Sequence, residues 1–245
     1  MNIQSFIFVH DQDILLEKIK SNVFSCLENV IYVFVGNKDV NKIENYSNVI
    51  ICRNLPQNIE NYPKLTSFTG WYALWKNNLI NSDYINLFEY DIDISENFNM
   101  LFFEEFIKDN EIIGYIPYNV HSPSFLGHPE VSEDLVKSIS KNYHIDSYNY
   151  VKSLPQNVLC SLTSNHTFSR KAFIHYMNWV EPLIDDIKNS PKAGHQIERS
   201  IPLFYILNNI KKKINNNTKI LMIVIIILII IVRSEEHTSE LQSRP

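Results

Sequence analysis

The chain has 245 residues, 45% of them hydrophobic, which suits one large domain with a sizeable buried core. Its formal charge of −5 supplies no basic field to hold a nucleic-acid backbone by counterion release, so nucleic acid is excluded as an expected partner. Cys26, Cys52 and Cys160 stand singly in apolar runs, without the close spacing of structural zinc or a disulfide framework, and read as reduced core residues.

Residues 3–9 form a short apolar run that predicts a buried strand, ending at His10, Asp11 and Asp13. The start lacks the basic and long apolar regions of a signal peptide, so a cytoplasmic protein is expected, with peripheral attachment to a membrane as the alternative. His10 and Asp11 directly follow the first strand, where they are candidates to meet the base or ribose of a nucleotide; simple turn duty is the competing role. Helical spacing of Ile14, Leu15, Ile19, Val23 and Leu27 predicts a helix over 12–27. The β-branched stretches 29–36 and 48–55 predict further core strands.

Leu65, Phe68, Tyr72, Trp75 and Leu79 recur at intervals of three or four and predict an amphipathic helix with an aromatic face on the sheet. Its other face offers Thr66, Thr69, Lys76 and Asn77, and Lys76 is a candidate donor-binding residue. Gly70 costs this helix about 1 kcal/mol of propensity, which points to close packing or a ligand. Strands are then expected at 84–94 and 112–118, a loop at 121–129, a helix at 131–139, an extended segment at 158–168 and a helix at 170–180. Strands alternating with helices place the chain in the α/β class, with a mixed, mainly parallel sheet flanked by helices. No linker or repeat interrupts residues 1–210, which read as one domain.

Composition breaks at Lys211. The thirteen aliphatic residues Ile220–Val232 would form a helix of about 20 Å, short of a bilayer core of roughly 30 Å. Residues 211–232 read as a low-complexity aliphatic tail. Residues 233–245 resemble a read-through translation of a sequencing adapter and are expected to carry no biology.

The chemistry concentrates where the apolar strand from Tyr84 turns acidic. Alternation along a continuing strand would put Glu89, Asp91 and Asp93 on one face, with neighbours about 6.5 Å apart. Their mutual repulsion is relieved by a divalent cation, and carboxylate oxygens suit Mg²⁺ or Mn²⁺. A solvated strand end is the plainer alternative. Later, His195, Glu198 and Arg199 share one face at helical spacing, and Pro202 is expected to kink or start a helix there. Asn165 and His166 are a further candidate pair on the acceptor side.

Asp91-Ile92-Asp93, after a hydrophobic strand, resembles the DxD motif of GT-A glycosyltransferases. The aromatic helix of residues 68–77 is similar to one preceding the central strand in capsule- and lipopolysaccharide-type members, and Gly194–Arg199 extends the likeness. The resemblance implies a nucleoside-diphosphate-sugar donor bound through Mn²⁺ or Mg²⁺ and a glycan or lipid-linked acceptor. Asp91, Asp93 and His195 are the candidate metal ligands, and His10, Asp11, Asp91, Lys76 and Arg199 the candidate donor contacts. Glu198 and His166 are the candidate catalytic groups, with Arg199 orienting Glu198. A metal-dependent nucleotidyltransferase would also need paired carboxylates, and a glycan- or nucleotide-binding module without turnover is the non-enzymatic alternative.

Overall fold

A computed structural model describes residues 2–92, 94, 110–127, 129–210 and 212–214. All but Asn215–Pro245 belongs to one compact unit, Met1–Ile214. Asp93, the aliphatic run 220–232 and residues 233–245 lie outside the described residues.

Strand β1 (Ile3–Val9) sends Phe6 and Phe8 into one core layer and Ile3, Ile7 and Val9 into the other, as the two-residue period of a strand dictates. Both faces are therefore covered, as a parallel sheet requires. Helix α1 (Gln12–Ser21) starts where the Asp11 carboxylate accepts the N–H groups of Asp13 and Ile14. It stops at Asn22, which takes φ 51°, so it is shorter than its apolar period suggests. Strands β2 (Val30–Phe34) and β3 (Val49–Ile51) extend the sheet in parallel.

A short turn at Pro63–Leu65 leads into helix α2 (Phe68–Lys76). Gly70 has a packing reason: a Cβ there would lie 2.7 Å from the Phe8 ring and 2.9 Å from Val35. The missing side chain lets α2 sit directly on β1 and the end of β2. Strand β4 (Tyr84–Glu89) then pairs in parallel with β1.

The remaining elements are β5 (Ile112–Gly114), β6 (Pro117–Asn119), α3 (Pro129–Tyr143), α4 (Ser147–Lys152), β7 (Leu159–Ser161), β8 (His166–Ser169), α5 (Arg170–Ile187), α6 (Ala193–Leu207) and β9 (Lys212–Ile214). The main sheet has the order β3-β2-β1-β4-β8-β5-β9, and β6 pairs with β7 in a separate two-stranded ribbon. Only β8 runs against its neighbours among the described strands of the main sheet. The fold is α/β, with a mixed, mainly parallel sheet flanked by helices.

A buried polar ladder crosses this sheet: Asn86 donates to Ser5 Oγ (2.9 Å), Thr167 donates to Asn86 Oδ1 (2.7 Å), and the Tyr115 hydroxyl meets Thr167 Oγ1 (2.6 Å). Each polar group in it is satisfied by a neighbouring strand, which fixes the register of β1, β4 and β8.

Three expectations change. The strand from Tyr84 ends at Glu89 and turns at once, the Ile92 N–H bonding back to the Glu89 carbonyl at 3.2 Å, so Asp91 is a turn residue and not a strand neighbour of Glu89. The 112–118 segment breaks into β5 and β6, which join different sheets. Helix α6 does not start at Pro202 but continues through it, with Ile201, Leu203, Phe204 and Tyr205 all buried around it. That packing offsets the roughly 3 kcal/mol a helix-interior proline costs.

Candidate active site

The parallel strands leave β1 in two directions, to β2 and β3 on one side and to β4 on the other. The crevice beyond the carboxyl ends of β1 and β4 is thus the switch point at which open α/β sheets bind ligands. His10 and Tyr90 stand at these two strand ends and meet edge-on, with ring centroids 5.2 Å apart.

Glu89 is the last residue of β4 and points to the α2 side. The Ser67 hydroxyl, at the start of α2, donates to Glu89 Oε1, and Asn165 Oδ1 accepts the Glu89 backbone N–H at 2.8 Å. Burial is the main reason its carboxyl is pushed up to about 7; the charges of Asp91 and Glu198 add to the rise, while Ser67 and Ser164 oppose it. Glu198, one turn into α6, is half-buried and also shifted upward, chiefly by desolvation, against the opposing charge of Arg199 and a hydrogen bond from Ser164. Ser164 Oγ reaches Glu198 Oε1 at 3.5 Å and also favours the charged form of Glu89, so one hydroxyl lies between two acids.

Gly194 brings α6 to this place. A Cβ at Gly194 would lie 3.1 Å from both the Lys64 carbonyl oxygen and Thr66 Cγ2, so the helix start rests on the turn ahead of α2. Thr66 adopts φ 53° and ψ −136°, a conformation open to glycine and costing a β-branched residue on the order of 1–3 kcal/mol.

The structure distributes the expected site residues unevenly. Asp91 is exposed beside Glu89, and its charge is felt there. Asp93 lies outside the described residues. Among the described residues, no three His, Cys, Asp or Glu side chains converge on one metal-binding point. His10 is exposed at the strand ends, but Asp11 serves as the cap of α1 and pairs with Lys38 at 3.0 Å, which lowers its carboxyl pKa.

Four residues differ from their expected roles. Lys76 ends α2, the opposite end from Ser67, where it pairs with Glu181 at 2.5 Å and lies 4.0 Å over the Trp75 ring; it is directed away from the strand ends. Arg199 is 7% exposed and commits its three guanidinium nitrogens to the carbonyls of Phe125, His195 and Ser124, so it fastens the 123–127 turn to α6 instead of facing a diphosphate. It acts on Glu198 through its field, with no hydrogen bond between them. His166 is fully buried in β8, and its pKa is pushed down to about 3 by desolvation. Neither ring nitrogen makes a well-formed hydrogen bond, and no acceptor can reach a base so placed. His195 is exposed at the start of α6, where burial and then the charges of Arg199 and Lys192 lower its pKa; these cations disfavour a metal ion at that point.

Ser67 and Ser164 were not singled out by sequence, and Glu89 was read there only as one acid of the strand face shared with Asp91 and Asp93. For Glu89 a signal existed: it is the acid that closes an apolar strand. Ser67 and Ser164 offered none, because their roles arise only from contacts made by folding.

No protein-family model matches the chain, and no curated protein matches it. Among solved structures it is similar to the apo form of WbbM, a bifunctional glycosyltransferase, with a TM-score of 0.60 and 15% identity over 87% of this chain. The match covers 44% of that protein, so this chain spans less than half of its length. The likeness is one of fold, and it agrees with a GT-A-like arrangement of sheet and helices.

Proposed function

We propose that the chain is a glycosyltransferase that moves a sugar from a nucleoside-diphosphate-sugar to an acceptor hydroxyl. The observation that carries this reading is the buried Glu89 at the switch point, its carboxyl raised by burial and by the charges of Asp91 and Glu198, in a sheet whose fold recurs in a glycosyltransferase. Carboxylate oxygens are the ligands a hard divalent cation prefers, and the exposed Asp91 beside this point offers one. Asp91 would hold Mg²⁺ or Mn²⁺ together with Asp93, and the metal would neutralise the departing diphosphate.

The chain's own groups divide the remaining work. The exposed His10 and its neighbour Tyr90 offer a surface for the nucleoside at the ends of β1 and β4. Glu198 takes the proton of the acceptor hydroxyl, its basicity raised by partial burial. Ser164 holds that carboxylate in place, and Ser67 does the same for Glu89. A glycan or lipid-linked acceptor is the substrate class that this reaction implies. Peripheral attachment to a membrane belongs to the same proposal; no helix among the described residues is long and apolar enough to cross one.

The test is a thermal-shift screen of nucleoside diphosphates with and without Mn²⁺, followed by product analysis with the donor of the best binder. Release of a nucleoside diphosphate with sugar transfer supports the reading. Release of pyrophosphate would make the chain a nucleotidyltransferase, and binding without turnover across many acceptors would make it a binding module.

A further inference from the structure

The one β-branched residue held at a glycine-like backbone angle in the described site lies where three of its segments meet. Thr66 follows the Pro63–Leu65 turn and directly precedes Ser67, whose hydroxyl bonds Glu89. The Thr66 carbonyl accepts from the Thr69 hydroxyl at 2.9 Å and the Thr69 N–H at 3.2 Å, so it helps begin α2. Its own N–H is held by the Pro63 carbonyl at 3.2 Å. On its other side, Thr66 Cγ2 and Oγ1 face the bare backbone of Gly194, where a Cβ would come within 3.1 and 3.3 Å of them. Gly194 lies one turn ahead of Glu198 on α6.

An unfavourable backbone angle persists only when its surroundings over-determine it, and here those surroundings are the parts of the site. With ordinary angles at residue 66, the turn would enter α2 in another direction, and Ser67 would leave Glu89. A side chain that shrank at 66 would also release the seat of α6. We propose that Thr66 is a positioning residue: a joint that locks the Ser67 hydroxyl onto Glu89 and seats the first turn of α6, so that Glu89 and Glu198 keep a fixed relation. The joint acts through packing and backbone direction and touches no substrate. The coupling concerns this chain's own segments; only its consequence for turnover rests on the glycosyltransferase reading.

The test compares the full chain with Thr66→Gly, Thr66→Val and Gly194→Ala. Glycine reaches the observed angles freely, so Thr66→Gly should melt at the same temperature or higher. Its amide exchange should nevertheless quicken in two separate places, residues 67–71 and residues 195–199, by about tenfold or more. Gly194→Ala should reproduce that paired change from the α6 side, because its new methyl group displaces the Lys64–Thr66 turn. Thr66→Val keeps the branched shape and should restore protection in both segments. If transfer is measurable, Thr66→Gly should lower kcat about tenfold with donor KM within about twofold of the parent. Faster exchange confined to 67–71 would overturn the joint, as would a Thr66→Gly midpoint several degrees below the parent, which would make Thr66 merely structural. Absence of transfer in the parent chain would defeat the proposed function alone, since the exchange measurements need no substrate.

Discussion

Asn165 Oδ1 accepts the backbone N–H of Glu89 at 2.8 Å, tying the loop before β8 to the acidic end of β4. Asn165 is 8% exposed, so the bond is made out of water. Asn165→Ala would orphan that N–H and should cost about 1–3 kcal/mol in urea unfolding. Asn165→Asp keeps an acceptor but sets another negative charge beside Glu89, so the Glu89 carboxyl should titrate higher still. An alanine variant as stable as the parent would show that the loop is not fastened by this contact.

As the proposed base, Glu198 should separate turnover from stability. Desolvation already favours its neutral form, so Glu198→Gln should fold as well as the parent in metal-free buffer or slightly better. Loss of the base should lower turnover by about 10²–10⁴-fold while donor affinity holds. Steady-state kinetics with the donor found by screening reads both quantities. Turnover retained within a few-fold would remove Glu198 from the proton transfer.

These two residues also mark how far sequence reasoning reaches. The α/β class and the exposed acid at Asp91 follow from local patterns, but the face of α2 was misjudged: Thr69, Gly70, Trp71, Ala73 and Leu74 are buried, while the expected Tyr72 and Trp75 are only partly covered. Glu198, which the structure half-buries beside Ser164, was singled out through its spacing from His195. The partners were not: Ser67 meets Glu89, and Ser164 meets Glu198, only after β4, β8 and α6 have packed. The same limit misplaced Arg199 and His166. A charged or titratable side chain announces chemistry in a sequence, yet the 123–127 turn claims the Arg199 guanidinium, and the pairing of β8 between β4 and β5 encloses the His166 ring.

His166 makes a pH-dependent contribution whose sign is fixed by its burial. Its folded pKa of about 3 lies below its ordinary value of 6.5, so the native state holds it neutral. The associated stability is fully present above pH 6.5 and is lost as pH falls toward 3, at up to about 1.4 kcal/mol per pH unit. Glu89 works in the opposite direction, its raised carboxyl favouring the fold below its ordinary range and losing that benefit as pH rises through about 7. Comparing the parent with His166→Phe cancels the Glu89 contribution, which both share. Between pH 7 and pH 5 the parent should lose about 2 kcal/mol more than the variant in denaturant titrations. Parallel curves would mean that His166 is protonated freely in the native state and is not enclosed as described.

Asp91 is the described half of the proposed metal pair, and its position yields opposite predictions for stability and binding. It is exposed in the turn after β4, and its charge helps to raise the neighbouring Glu89 carboxyl. In metal-free protein it therefore supplies repulsion at Glu89. Asp91→Asn removes that repulsion and should leave the apo midpoint unchanged or slightly higher, with Glu89 titrating closer to its ordinary range. A divalent ion that binds the native state stabilises it by mass action, so Mn²⁺ with UDP should raise the parent midpoint more than UDP alone does. Asp91→Asn should abolish that metal-dependent increment, and Asp91→Glu, which keeps a carboxylate at longer reach, should recover part of it. Melts of the three proteins with UDP, Mn²⁺, both or neither decide the matter. An undiminished increment in Asp91→Asn would place the metal elsewhere, and a sharply destabilised apo variant would make Asp91 a structural residue of the turn.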